Sequence, residues 1–257
     1  MSKDRMLYKY LPVDGSFDSP DTLGSLSVIR DGTLKYTSPG DFNDPFDCQP
    51  DYDFEAIFNS IPQNFPNDPL EEFQGANPEK HWNEEWLHKQ YIPAFGVCCF
   101  SRCPTSILMW SHYASHHKGI VAEFESTSLL HYDNQDISLN LAALPVDYDD
   151  KKPLISKFDR EFEKKCLLTK SNHWCYEEES RVVLNPNQFS PLKKEHGIHP
   201  YHRYLLKSVI IGLKCENKHI DLITQEVASV NESFGLSIVL KQVTWSNGKF
   251  AIEICDC

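Results

Sequence analysis

The sequence predicts a single α+β domain whose mixed, largely antiparallel sheet is split around a cleft and flanked by helices. Three observations point there. The segments with strand character are short and cluster after residue 93, instead of alternating regularly with helices as in a parallel βαβ fold. The apolar runs VIIGL and SIVLKQV read as buried strands. A chain of 257 residues, 40% apolar and 12% aromatic, can bury one substantial core.

MLYKYLPV opens as a strand, with Tyr8 and Tyr10 on one face and Leu7, Lys9 and Leu11 on the other. SPDTLGSLSVIRDGTL reads as a short helix capped by Ser19 or Asp21, striped by Leu23, Leu26 and Ile29, and stopped by Gly32. LKYTSP follows as a short strand. It enters PGDFNDPFDC, a loop that Asn43-Asp44-Pro45 bars from regular structure.

Residues 51–93 form an acidic, aromatic, helical insertion interrupted by Pro62, Pro66, Pro69, Pro78 and Pro93. Trp82 and Trp86 share a helical face there. They serve either as a lid or partner surface beside the cleft or as a seal of the insertion onto the core. PAFGVCCFS is a buried strand, SILMWSHYASHH a helix, and GIVAEFE and LPVDYDD further strands. KFDREFEKKCLLTK is a helix containing pairs such as Arg160–Lys164, WCYEEESRVVLN is a strand expected to lie centrally in the sheet, KSVIIGLKC is another strand, and HIDLITQEVASVNESFG is an amphipathic helix ended by Gly235. LSIVLKQVTW and KFAIEIC close the chain as strands. No internal repeat or low-complexity tract is present.

Charge and cysteine usage narrow the function. With 25 basic and 37 acidic residues the net charge is −12, so non-specific binding of duplex DNA is not expected. No run of 18 apolar residues occurs, so no membrane association is expected, and the N-terminus lacks an apolar leader core. The expected localisation is cytoplasmic. The nine cysteines form no C-x-x-C and read as buried thiols rather than a disulfide framework.

WCYEEESRVV carries the most information about chemistry. On a strand, Trp174, Tyr176, Glu178 and Ser180 share one face, and Glu177, Glu179 and Arg181 the other. Two carboxylates and a guanidinium in a row read either as a catalytic E-x-E pair with its Arg or as a charge ladder on a solvated face. In FNDPFD, the polar residues Asn43, Asp44 and Asp47 sit at turn positions, with Phe42 and Phe46 expected to anchor the loop by burial. That loop is either a structural turn or one wall of a pocket. In MWSHYASHHKGI, His112 and His116 have helical i, i+4 spacing, but no second half of a metal signature accompanies them, and no metal is expected. Ser111, His112 and Tyr113 instead suit holding a ribose or a carboxamide. The chain has no G-x-S-x-G, G-x-G-x-x-G or P-loop sequence.

In order, LYKY, SPGDFNDPFD, ILMWSHYASHHKGIVAEFE, WCYEEESR and SVIIG resemble a large bacterial family of uncharacterised domains. The resemblance runs from about Leu7 to Gly212. Leu11 stands where that pattern usually has Arg. The opening L-Y-x-Y strand, the short helix before D-G-x-L and the later E-x-E strand also look like ADP-ribosyltransferases of bacterial toxin and defence type. That second resemblance implies a split sheet gripping NAD as a substrate. Carried over, the first-strand group is Lys9 or Tyr10, beside Tyr8, where that fold offers Arg or His. The middle group is Ser38 or Tyr113. The catalytic Glu is Glu179, with Glu177 as its partner and Arg181 lowering its pKa. Asn43, Asp44, Ser111 and His112 complete the expected NAD site, and Tyr10, Tyr36, Tyr113 or Trp174 would stack on nicotinamide. The implied activity is transfer of ADP-ribose to a protein or nucleic-acid acceptor, in phage defence or a toxin system. The alternative is a non-catalytic sensor that binds a nucleotide or a phage protein in the same pocket.

Overall fold

Eight strands form one sheet in the order β14-β13-β12-β5-β1-β4-β10-β6 in the computed structural model, which describes residues 6–13, 24–60, 84–126, 140–157, 161–185 and 196–256. The strands are β1 (Met6–Leu11), β4 (Gly96–Ser101), β5 (Ile120–Glu125), β6 (Leu144–Pro145), β10 (Glu179–Leu184), β12 (Leu206–Ile211), β13 (Val239–Trp245) and β14 (Ile252–Asp256). Every neighbouring pair is antiparallel except β12 and β13, which run parallel. A helix separates those two in sequence, as a parallel pair requires. Three two-stranded ribbons surround the sheet: β2 (Thr33–Tyr36) with β11 (Gly197–Pro200), β3 (Asp51–Tyr52) with β8 (Leu154–Ile155), and β7 (Asp147–Asp149) with β9 (Thr169–Ser171). The fold is thus α+β with a mostly antiparallel mixed sheet.

The period of two in β1 divides the core. Leu7 and Leu11 join a cluster with Ile120, Phe124 and Val209 under two helices, α1 (Ser27–Arg30) and α6 (Asn217–Phe234). In α6 the buried positions His219, Ile223, Val227 and Val230 recur at helical spacing, and Gly235 ends it at φ 63°. Tyr10 faces the other way, onto Met109 and Trp110 of α4 (Ile107–Tyr113). A third cluster joins Phe95 to Phe162 and Leu167 of α5 (Phe162–Leu167) and to Ile57 of α2 (Phe54–Ser60).

Of the insertion, α2, α3 (Glu84–Trp86) and the turns through Ala94 are described, and Trp82 lies outside the described residues. Trp86 stacks on Tyr91 at 5.4 Å, and both pack against the Phe95 cluster, so these aromatics seal the segment to the core. The cap candidates Ser19 and Asp21, Leu23, and Arg160 of the Arg160–Lys164 pair also fall outside the described residues. No helix among the described residues is long and apolar enough to cross a membrane.

Two expectations are corrected. WCYEEESR is not a strand throughout: Asn172–Glu177 is a 3-10 helix, Glu178 is left-handed at φ 45°, and β10 begins at Glu179. Nor is β10 central, since only the two-residue β6 lies outside it. The expected split is a local splay. β1 pairs with β5 along its whole length, from Met6↔Glu125 to Leu11↔Ile120, but meets β4 at Tyr8↔Ser101. Beyond that point the two strands part, and Lys9 reaches across to the Cys99 carbonyl at 2.8 Å.

The turn after α4 holds the helix against β1. Ser115, His116 and His117 all have positive φ (47°, 56° and 70°), a run that L-residues rarely adopt. The Ser115 hydroxyl both accepts from the Val13 amide and donates to the Val13 carbonyl, at 2.9 Å each. Gly119 follows because a Cβ there would lie 2.2 Å from the Leu11 carbonyl oxygen. Gly119→Ala is expected to destabilise the fold by about 3 kcal/mol, since backbone cannot yield as a side chain does. Urea unfolding read by circular dichroism measures it, and a loss below about 0.5 kcal/mol would show that this close approach is not required.

Candidate functional site

Where β1 and β4 part, a cleft of about 570 Å³ opens, within the ~300–1,000 Å³ of typical small-molecule sites. Its floor is a cluster of buried charges. Arg181, fully buried on β10, spends all five N–H donors. Nε donates to Glu179 Oε1 at 2.8 Å, and Nη2 to Glu179 Oε2 at 3.1 Å and to Asp47 Oδ2 at 2.6 Å. Nη1 donates to Asp47 Oδ1 at 3.0 Å and to the Leu167 carbonyl at 2.6 Å. The Phe42 ring lies 5.2 Å from the guanidinium. A guanidinium so deep in the fold is tolerable only with this complete set of partners.

Lys170 of β9 supplies the second cation. Its Nζ donates to Glu177 Oε2 at 2.6 Å and to Glu179 Oε2 at 2.9 Å, and lies 3.5 Å from Asp47 Oδ2. Glu177 Oε1 accepts from the Tyr113 hydroxyl of α4 at 2.6 Å. The two Glu side chains therefore converge on one ammonium even though Glu177 precedes the strand. The left-handed Glu178 makes this turn, and Ser101 clamps it by donating to the Glu177 carbonyl at 2.6 Å. The solvated charge ladder is excluded, because Glu177, Glu179 and Arg181 are all buried.

The two carboxyls differ in character. Burial pushes both up. In Glu179, Arg181 and Lys170 outweigh burial and hold the carboxyl well below the usual range. In Glu177, burial prevails over Lys170 and Tyr113, and the pKa is raised. Burial opposes the charged form of Lys170, but Glu179, Glu177 and Asp47 outweigh it and keep the ammonium protonated. Burial and Glu177 push the Tyr113 hydroxyl up, so it stays a donor.

The structure brings Tyr8, Lys9, Tyr10, Asn43, His112, Tyr113, Glu177, Glu179 and Arg181 to this one cleft. Three expected residues do not line it. Ser38 caps the 3-10 turn Pro39–Asp41 and donates to the Pro93 carbonyl at 2.9 Å. Asp44 accepts from the Phe46 amide at 2.9 Å. Ser111 lies on α4 outside the lining. Of the expected stacking residues, Tyr36 is buried edge-on to His199 in the core, and Trp174 packs against Lys170 at 5.2 Å. His112 and His116 do not share a helical face, because α4 ends at Tyr113 and His116 is left-handed. His112 instead meets the Tyr176 hydroxyl at 3.1 Å.

Sequence reasoning missed Lys170 as a site residue and treated Asp47 as a turn residue. A charge count carried the signal. Arg181 with two Glu on one buried face leaves an uncompensated negative charge, and Lys170, 7 residues before Glu177, is the lysine that precedes them; nothing in the sequence points to Asp47.

A protein-family model matches this chain. Its description is "Protein of unknown function (DUF2971)", and the match covers residues 109–182. That stretch runs from α4 into β10, so it holds Tyr113, Lys170, Glu177, Glu179 and Arg181 together. The MWSHYA-HKGI and WxYExExR motifs lie within it or at its edge, whereas LYKY and FNDPFD lie outside. No curated protein matches the chain, and neither does any solved structure.

Arg181→Leu is expected to cost about 3–5 kcal/mol, because it leaves the buried carboxylates Asp47, Glu177 and Glu179 to the one ammonium of Lys170. The pH dependence has a definite sign. The depressed Glu179 contributes stability that is fully present above the ordinary Glu value of about 4.3 and is lost as pH falls through the folded value. The raised Glu177 acts oppositely, removing stability as pH rises from about 4.3 through its folded value. Denaturant unfolding from pH 3 to 7 should therefore show an acid limb in the wild type that is shallower in Arg181→Leu. Equal limbs would contradict the assignment.

Proposed function

We propose that the cleft binds NAD, breaks its nicotinamide–ribose bond and passes ADP-ribose to a macromolecular acceptor. The observation that carries this reading is the Glu177–Lys170–Glu179 bridge at the cleft floor, beside the Tyr113 hydroxyl. Cleavage of the C1′–N bond leaves the bonding pair on nicotinamide and positive charge on the ribose, an oxocarbenium-like state as in other glycoside chemistry. A carboxylate beside the ribose lowers the energy of that state. The acceptor then forms the new bond to C1′, and its proton passes to the carboxylate.

The two Glu residues divide this work. Glu179 has both oxygens engaged by Arg181 and Lys170, so it is a positioning residue that holds Lys170 in place. Glu177, less tightly paired and with a raised pKa, takes the ribose hydroxyl and the proton. This reverses the order implied by the resemblance, in which Glu179 was the catalytic group. Lys9 and Lys35 on the cleft wall suit the pyrophosphate, and Tyr8 and Tyr10 offer rings to nicotinamide.

A second reading, a nucleotide sensor without turnover, draws support from one feature. All four oxygens of Glu177 and Glu179 have protein donors, so the carboxyls are satisfied by the protein itself. Nicotinamide release from NAD, followed by chromatography, separates the two. The enzyme reading predicts that Glu177→Gln lowers the rate by about 10²–10⁴-fold with NAD affinity kept, and that the wild-type rate falls as acid protonates Glu177. NAD binding with no nicotinamide released by the wild type would establish the sensor.

A further inference from the structure

Phe46 was expected to anchor its loop by burial, yet it is 68% exposed. Its exposure is built in. Asp44 fixes the turn by accepting the Phe46 amide, and Asp47 on the other side is pinned to Arg181. The ring stands at the lip of a second cavity of about 310 Å³, separate from the cleft. Three exposed lysines, Lys151, Lys152 and Lys165, line that cavity with it. Lys152 Nζ lies 5.9 Å from the Phe46 ring centroid.

We propose that this cavity binds a base carrying a phosphate, as one unit of a single-stranded nucleic acid or as a free nucleotide, stacked on Phe46 with its phosphate among the lysines. Charge complementarity supports this occupant. The lining also includes Asp149 and Asp150, which keep their charge while they fold the loop: Asp149 accepts the Lys151 amide and Asp150 the Asn172 side-chain amide, both at 2.9 Å. Among the described residues, neither Lys151 nor Lys165 has a carboxylate partner, and Lys152 has only Asp51 at 3.9 Å. Four lysines against two aspartates line the cavity, a local excess of cations in a chain of net charge −12.

The aromatic ring selects among anions. An acidic peptide would satisfy the lysines and leave the face of Phe46 in water. A base covers that face while its phosphate meets the ammonium groups, as on stacking platforms for single strands. The cavity volume sits at the small end of ligand sites, which suits one nucleotide unit and not a folded surface. Duplex DNA cannot offer a base face without unstacking it.

The cavity also backs onto the cleft. Lys170 lines both, with its ammonium on Glu177 and Glu179. A strand held here is a nucleic-acid acceptor placed beside the ADP-ribose donor. That role rests on the NAD-cleaving reading, whereas binding itself does not.

The test is fluorescence anisotropy without NAD, using labelled single-stranded DNA and RNA of roughly ten nucleotides, within the range of known single-strand site sizes. Unlabelled AMP and poly-glutamate are the competitors. Phe46→Ala should weaken strand binding by about tenfold or more, and Lys151→Glu with Lys165→Glu should abolish it and remove its salt dependence. Thermal melts should match the wild type, since these side chains are at the surface. Displacement by AMP identifies a free nucleotide as a sufficient ligand, and displacement only by the strand identifies the polymer. Either result supports the site. Binding of neither, binding indifferent to Phe46→Ala, or equal competition by poly-glutamate overturns it. Because NAD is absent, failure here is distinct from failure of NAD cleavage.

Discussion

Burying one guanidinium away from bulk solvent constrains most of this structure. Arg181 needs an acceptor for each of five N–H groups, and no single element can provide them. They come from Asp47 in the FNDPFD loop, from Glu179 on the same strand and from the carbonyl of Leu167 at the end of α5. Three distant stretches are thereby tied to one point. The two carboxylates that satisfy Arg181, together with Glu177, overcompensate it, and Lys170 answers part of that excess. The resulting lattice forms the cleft floor and also holds Phe46 outward on its far side.

Two carboxylates two residues apart thus acquire different chemistry from different partners. Glu179 faces a guanidinium in a fixed bidentate geometry and stays ionised. Glu177 shares only an ammonium and a phenol, and burial raises its pKa. Environments that drive paired acids apart characterise sites where one group moves protons and the other stays fixed. Removing Glu179 would take from Arg181 one of its two carboxylate partners and leave its Nε–H without an acceptor, disturbing the whole floor, so loss of function in that variant would not identify a reacting group. Glu177→Gln preserves shape and leaves Lys170 its bonds to Glu179 and Asp47.

Much of the fold was legible because its signals are local. The alternation in MLYKYL, the apolar run of Leu206–Ile211 and the helical spacing in α6 each bury one face, and periodicity reports that directly. The 3-10 helix Asn172–Glu177 was hidden because Trp174 and Tyr176 recur at every second position as in a strand, while the left-handed Glu178 that breaks the strand leaves no glycine as a marker. In the site, the E-x-E-x-R motif was visible from its spacing alone. Lys170 and Asp47 were not recognised, since their role arises only once β9 and the FNDPFD loop are folded onto β10. Phe46 was misread for a related reason. Hydrophobicity predicts burial in general, but the turn bonds of its neighbours decide where this ring points.

The buried lattice splits the two carboxyls, holding Glu179 ionised and raising the pKa of Glu177. Carbon-13 NMR titration of the Glu side-chain carboxyls, assigned with Glu177→Gln and Glu179→Gln, tests it most directly. Glu177 is expected to titrate above the ordinary Glu value of about 4.3, while Glu179 stays ionised well below it until the protein unfolds. Both groups titrating together near 4.3 would contradict it.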